Sequence, residues 1–239
     1  MKNLPEINCD LGEGMPNEIQ LFPLIDAASI ACGGHFGDEY TISQSIKLAL
    51  EYKKKAGAHP SYPDQKNFGR KTMKISDKDL MKSILIQILK FEQLAEKAGM
   101  PLDHIKFHGA LYNDAAANPE LADSLTEFIA TYFHNTPIFA PPHSQLEKYI
   151  ILKGLTHKTE IFGDRRYLDN YQLVPRSVFG SHMITEAEIS PQLETLLENG
   201  YLISDTGKKL PVKADTMCFH GDNSGICDFL PIIRNRFWT

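Results

Sequence analysis

Imidazoles, carboxylates and one lysine recur along this chain in short polar clusters, each beside glycine. Asn8, Asp10 and Glu13 lie in N-C-D-L-G-E-G, and His35 in A-C-G-G-H-F-G-D. His59 lies in G-A-H-P-S-Y-P-D, and Arg70 follows in N-F-G-R. Lys106, His108 and Asn113 share K-F-H-G-A-L-Y-N. Asp164 and Arg165 stand in E-I-F-G-D-R-R-Y, and His220 and Asp222 in C-F-H-G-D. Such groups serve two chemistries. They move protons in general acid–base catalysis, or they hold a metal that prefers nitrogen and oxygen ligands.

Each residue alone has a plainer role. Asp10 or Asp164 alone caps a helix or forms a turn. Arg70 or Arg165 alone pairs on the surface, and a lone His at a strand end only hydrogen-bonds. Cys9, Cys32 and Cys218 read as small packing residues. What argues for a site is repetition at equivalent points of successive units, because perturbed ionisable groups gather where chemistry happens. Asp10, Glu13, His35, His59, Lys106, His108, Asp164 and His220 form the expected acid–base set. Asn8, Arg70, Asn113, Arg165 and Asp222 are the expected substrate contacts.

Two of these invite a local argument. Asp10, flanked by Asn8 and Glu13, can stay ionised if hydrogen-bonded and act as base or ligand. His108 stands two residues after Lys106, so both side chains project to one side of an extended strand. A neighbouring cation favours neutral imidazole, and Lys106 could also stabilise an oxyanion. Asp10 and His108 are therefore expected to matter more to turnover than to folding. No G-x-x-x-x-G-K-[ST] loop, complete G-x-G-x-x-G or G-x-S-x-G elbow occurs, so phosphate-loop and serine-nucleophile chemistry lack local support. No H-E-x-x-H spacing occurs, so metal ligands would have to converge from different strands.

The elements that must position these groups alternate. Short apolar runs near Glu6–Cys9, Ala28–Cys32, Lys55–Ala58, His104–Phe107, Pro137–Ala140, Glu160–Phe162 and Thr216–Phe219 read as strands, and six of the seven end in ionisable clusters. Helical spacing separates them: Ile42, Ile46, Ala49 and Leu50; Leu80 through Ala98, capped by Ser76 and closed by Gly99; and Leu121 through Tyr132 after Asn118-Pro119. Ser190-Pro191 reads as another helix start before Leu193, Leu196 and Leu197. A last helix runs from Ile226 to Phe237, with a bend at Pro231. This βα alternation predicts an α/β fold with about seven parallel strands, open or closed, and a site beyond their carboxyl ends. Arg165–Thr185 has weak periodicity and reads as a long functional loop or insertion.

Bulk properties narrow the class. The 239 residues suit a single domain over 1–239, with 42% hydrophobic residues to fill a core. A net charge of −5 gives no basic surface for nucleic acid or an anionic membrane. The opening M-K-N-L-P-E-I-N-C-D-L-G-E-G carries no apolar run of signal-peptide length, and no stretch approaches a membrane span. Four cysteines without a C-x-x-C pair suit free thiols in a reducing cytoplasm.

The clusters, in this order from Asn8 to Asp222, resemble the LamB/YcsF family of 5-oxoprolinase A subunits. The family's pattern differs at Gly34, Lys71, Phe107 and Gly163, none of them a charged site position. The resemblance implies an irregular (β/α) barrel similar to the glycoside hydrolase/deacetylase group. It implies a cytoplasmic enzyme that opens the lactam of 5-oxoproline (pyroglutamate) to L-glutamate. ATP with Mg would act through an assembled complex with partner subunits B and C. An unactivated amide makes coupling to ATP sensible, and the missing nucleotide motif fits a division of labour. Two alternatives stand beside this. One is a stand-alone metal-dependent deacetylase-type hydrolase with Asp10, His59 and His108 on an ion such as Zn²⁺. The other is a non-catalytic scaffold subunit.

Overall fold

Six short parallel strands carry the polar clusters to one end of the molecule. The computed structural model describes residues 4–238; the first three residues of the opening stretch, and Thr239, lie outside them. In chain order the elements are β1 (Glu6–Leu11), α1 (Glu18–Leu21), a 3₁₀ turn (Phe22–Leu24), β2 (Ala27–Ala31), α2 (Glu39–Glu51), β3 (Lys55–His59), α3 (Asp77–Lys97), α4 (Gly109–Ala117), α5 (Pro119–Tyr132), β4 (Ile138–Ala140), α6 (Gln145–Leu152), β5 (His157–Phe162), α7 (Glu186–Asn199), β6 (Tyr201–Ile203), β7 (Lys209–Pro211), β8 (Thr216–Phe219) and α8 (Ile226–Phe237). The main sheet runs β3-β2-β1-β8-β5-β4, all parallel. It curls into an irregular β/α barrel lined by helices. β2 and β8 are buried along their whole length, as expected of strands covered on both faces.

The sheet has six strands, one fewer than expected. Residues 104–107 form no regular strand; Ile105 alone bridges Ala58 on one side and Ile138 on the other. That residue links the two edge strands. On the β3 side the ladder misses one bond there, before resuming with His108 N–H on the Pro60 carbonyl, for a reason written in the sequence. Ala58 N–H donates to the His104 carbonyl, and Lys106 N–H to the Ala58 carbonyl. The next donor in register would be residue 60, which is proline and has no N–H. The Lys106 carbonyl instead accepts from His59 Nδ1 at 2.7 Å. Losing one ladder bond thus fixes one imidazole.

The helix caps follow local chemistry, with one displaced start. Ser76 accepts from Asp79 N–H at the head of α3, and Asn118 caps α5 with Pro119 in its first turn. α7, expected to begin at Ser190-Pro191, begins at Glu186, because Thr185 and Glu188 satisfy each other's backbone N–H groups in a capping box. Pro191 is accommodated inside that helix, as Pro231 is inside α8. Leu50 and Tyr132, placed on buried faces by spacing, are exposed. The antiparallel β6–β7 hairpin was not foreseen from the sequence. Among the described residues no helix is long and apolar enough to cross a membrane, and all four cysteines are free.

Candidate active site

Parallel register brings the strand ends level, and the clusters meet there. Asp10, near the end of β1, accepts from Lys106 Nζ at 2.8 Å and lies 3.4 Å from His59 Nε2. His59 closes β3. Its Nε2 is 2.9 Å from Nδ1 of His108, the N-cap residue of α4. Glu13 Oε1 is 3.0 Å from His35 Nε2 and 3.4 Å from His108 Nδ1. His35 stacks on His108, ring centroids 3.6 Å apart. Six of the eight expected acid–base residues therefore form one buried cluster.

The backbone around His108 is bent to hold it. Phe68 sits at φ 55°, a costly conformation for a bulky side chain. This aims its carbonyl at His108 Nε2, 3.0 Å away, and its ring against His35. Gly109 (φ 56°) follows His108, and a Cβ there would stand 2.6 Å from the Gly69 carbonyl oxygen. That oxygen accepts from Ala110 N–H, so only glycine lets the two loops meet.

These bonds decide the tautomers. A carbonyl only accepts, so His59 carries hydrogen on Nδ1 and His108 on Nε2. Neutral His59 and His108 would then point two lone pairs at each other across 2.9 Å. A mobile proton or a cation must lie there. The surroundings fit either. Burial and the Asp10 charge push Glu13 up to about 7. Burial would raise Asp10, but His59 and Lys106 hold it well below the usual carboxylate range. Burial, with His35 and His59, drives His108 well below the ordinary imidazole value. Burial takes His35 to about 2. The direction for His108 agrees with expectation, but the cause is desolvation and neighbouring imidazoles rather than Lys106. For a metal, one donor atom each from Glu13, His35, His59 and His108 lies within 4.8 Å of the others.

Lys106 serves differently from expectation. Its buried ammonium contacts Asp10 Oδ1 (2.8 Å), Glu160 Oε1 (2.9 Å), Asn8 Oδ1 (3.1 Å) and Cys218 Sγ (3.1 Å). Three protons shared among four partners leave no donor for a substrate oxyanion. Burial would lower this lysine, yet Asp10 and Glu160 hold it well above its usual value. Lys106 is the counter-ion shared by the Asp10 and Glu160 carboxylates.

A cavity of about 680 Å³ opens above the cluster, and Asp10, Glu13, Lys106 and His108 reach its wall. His35 and His59 stand behind them. His220, at the far side, is oriented by Asp164, which accepts from its Nδ1 at 2.8 Å and from Asn223 Nδ2 at 2.9 Å. Arg70 and Arg176 share the Asp222 carboxylate at the rim. Asn113 lines the same cavity. Two expected substrate contacts are otherwise engaged. Asn8 donates to Glu160 and Thr216 beneath the cavity. Arg165 lines the wall, but its guanidinium donates to the Val174 and Ser181 carbonyls. It pins the 165–185 loop, which supplies Tyr167, Tyr171 and Arg176 to the cavity. Glu160, Tyr112 and Arg176 were missed in the sequence. An acid inside the apolar run Glu160-Ile161-Phe162 was the signal that pointed to one of them.

Asp164 gives a stability test. Burial would raise it, but His220 and Asn223 bring it to about 2 from an ordinary 3.8. A depressed carboxylate contributes stability that is present above the unfolded value and lost as pH falls through the folded one. The loss therefore falls between about pH 4 and 2 and amounts to roughly 2 kcal/mol. Urea unfolding at pH 5 and 2.5 should show a drop that includes this loss, and Asp164→Asn should make it smaller. An equal slope in both proteins would contradict the assignment.

The LamB/YcsF family model matches residues 5–238. The 5-oxoprolinase A subunit of Vibrio cholerae is 33% identical over 98% of this chain and 97% of its own. The crystal structure of a lactam utilization protein from Thermus thermophilus superposes with a TM-score of 0.90 at 29% identity, covering 99% of this chain and 97% of that one. A putative cellobiose-phosphate cleavage protein from Enterococcus faecalis, 13% identical, covers 90% of this chain and 78% of its own at a TM-score of 0.55. That last likeness concerns the fold alone.

Proposed function

The chain belongs to the LamB/YcsF family, and from that premise we propose that it is the A subunit of a 5-oxoprolinase. With partner subunits B and C it opens 5-oxoproline to L-glutamate, coupled to ATP hydrolysis. The observation that carries this reading is the set Asp10, Glu13 and His108 at the wall of a cavity sized for a small ligand, with His59 behind them. Lactam hydrolysis needs a group that takes a proton from water and returns one to the leaving nitrogen. His108 and Glu13, one held neutral and the other near 7, suit that exchange. Arg70 and Arg176 share a single carboxylate, which leaves guanidinium donors for the substrate's own carboxylate. ATP and Mg²⁺ enter through the assembled complex, in the cytoplasm. Glutamate release is measured with each subunit omitted in turn. All three are expected to be needed, and full ATP-independent activity from this chain alone would refute the coupled reaction.

One observation favours a second reading, a stand-alone metal-dependent hydrolase. The facing bare nitrogens of His59 and His108, with Glu13 and His35 in reach, fit a divalent ion. His59, His108 and Glu13 would hold it. Such an ion lowers the pKa of bound water. Both rings are already oriented for it, because the Lys106 and Phe68 carbonyls accept from their other nitrogens. Under this reading Zn²⁺ at 100 times its Kd stabilises the fold by about 2.7 kcal/mol and raises Tm by about 5–10 °C. His59→Ala should abolish the shift. No shift, and no metal in the purified protein, would remove this reading and leave the first.

A further inference from the structure

We propose that Glu160 and Tyr112 form a subsite for the cis-amide edge of a small lactam, with ring N–H donating to Glu160 Oε2 and ring C=O accepting from the Tyr112 hydroxyl. This deepens the lactam reading and rests on it. Both residues line the 680 Å³ cavity. Glu160 is fully buried in β5. Its Oε1 is taken by Asn8 Nδ2 and Lys106 Nζ, both at 2.9 Å. Its Oε2 is buried without any hydrogen-bond partner, and so is the Tyr112 hydroxyl. The Tyr112 hydroxyl stands close enough to the Glu160 carboxylate for a weak hydrogen-bonding pull towards it, yet neither oxygen has a partner at full hydrogen-bond geometry. A buried polar atom left unpaired is costly and calls for a partner. Here two such atoms stand beside one cavity.

Their chemistry is complementary to one shape. A carboxylate oxygen accepts only. Burial and the adjoining Glu160 charge keep Tyr112 protonated far above its ordinary range, so its hydroxyl is available as a donor. An acceptor next to a donor matches a group presenting a donor next to an acceptor. A lactam ring forces its amide cis, which places N–H and C=O on one edge. An open-chain trans amide places them on opposite sides. The pair would thus select cyclic amides over peptides and hold the carbonyl polarised by the Tyr112 hydroxyl.

The test exploits a forced orientation. In Glu160→Gln the carboxamide oxygen must face Asn8 and Lys106, which are both donors. Its NH₂ therefore turns towards the subsite, and an acceptor becomes a donor. Calorimetry on the full chain with its partner subunits compares 5-oxoproline with the lactone in which oxygen replaces the ring N–H. The wild type should bind the lactam about 100-fold more tightly than the lactone. Glu160→Gln should reduce or invert that ratio. Tyr112→Phe should weaken both ligands alike, with a melting temperature that certifies folding. A wild type that binds lactam while both variants keep its lactam-to-lactone ratio and its affinity overturns the subsite and leaves the lactam reading intact. A wild type that binds neither ring overturns both.

Discussion

His108→Gln is expected to lower turnover by about 100-fold or more while leaving the melting temperature unchanged. The glutamine amide nitrogen reaches the place of Nε2 and can still donate to the Phe68 carbonyl, which His108 Nε2 does now at 3.0 Å. What disappears is the bare Nδ1 facing His59 and Glu13, and with it the site's ability to accept and return a proton. Turnover and thermal melts measured together separate the possibilities. Near-normal turnover, or activity lost only in step with unfolding, would make His108 a structural residue. Asp10→Asn is a less clean companion. Asp10 is held well below the usual carboxylate range by His59 and Lys106, against the upward push of burial. Its loss should lower both turnover and the melting temperature.

The largest effect on stability is expected from Lys106→Met, a loss of about 3–5 kcal/mol. Methionine fills similar space but leaves Asp10 and Glu160 buried without a counter-charge. The signs bracket the useful pH range. Lys106 is raised, so its contribution is full below its unfolded value and is lost only as pH climbs through the folded one. Asp10 is depressed, so its contribution is full above its unfolded value and is lost only in acid. The pair thus stays charged across neutral pH, and the destabilisation should be nearly constant there. For a chain of this size the melting temperature should fall by about 10 °C. Lys106→Met with Asp10→Asn should recover part of the loss, because the two sites are coupled through one contact. A single variant melting within ~2 °C of the parent would mean that water reaches the carboxylates and screens them.

Residue types and spacing along the chain mark the candidate chemical groups and most of the elements that carry them. Helix caps at Ser76 and Asn118 and the βα alternation are local signals, set by hydrogen bonds within a few residues and by burial periodicity. The polar clusters were legible because glycine, histidine and acid recur at successive strand ends. Even the break at residues 104–107 had its cause in Pro60, though the consequence appears only when residue 60 lies beside Lys106. Convergence comes from long-range packing alone. Glu13 meets His108, and Lys106 meets Glu160 and Asn8, across separations of tens of residues, up to 98, that no local pattern encodes. That convergence reassigned Lys106 from an oxyanion donor to a buried counter-ion, and Arg165 from a substrate contact to a loop anchor. It also revealed Glu160 and Tyr112. The reason is physical: a side chain's type fixes what bonds it can make, but only its neighbours fix which of those bonds are already made. A residue is free to act on a substrate only through the donors and acceptors that the fold leaves unpaired.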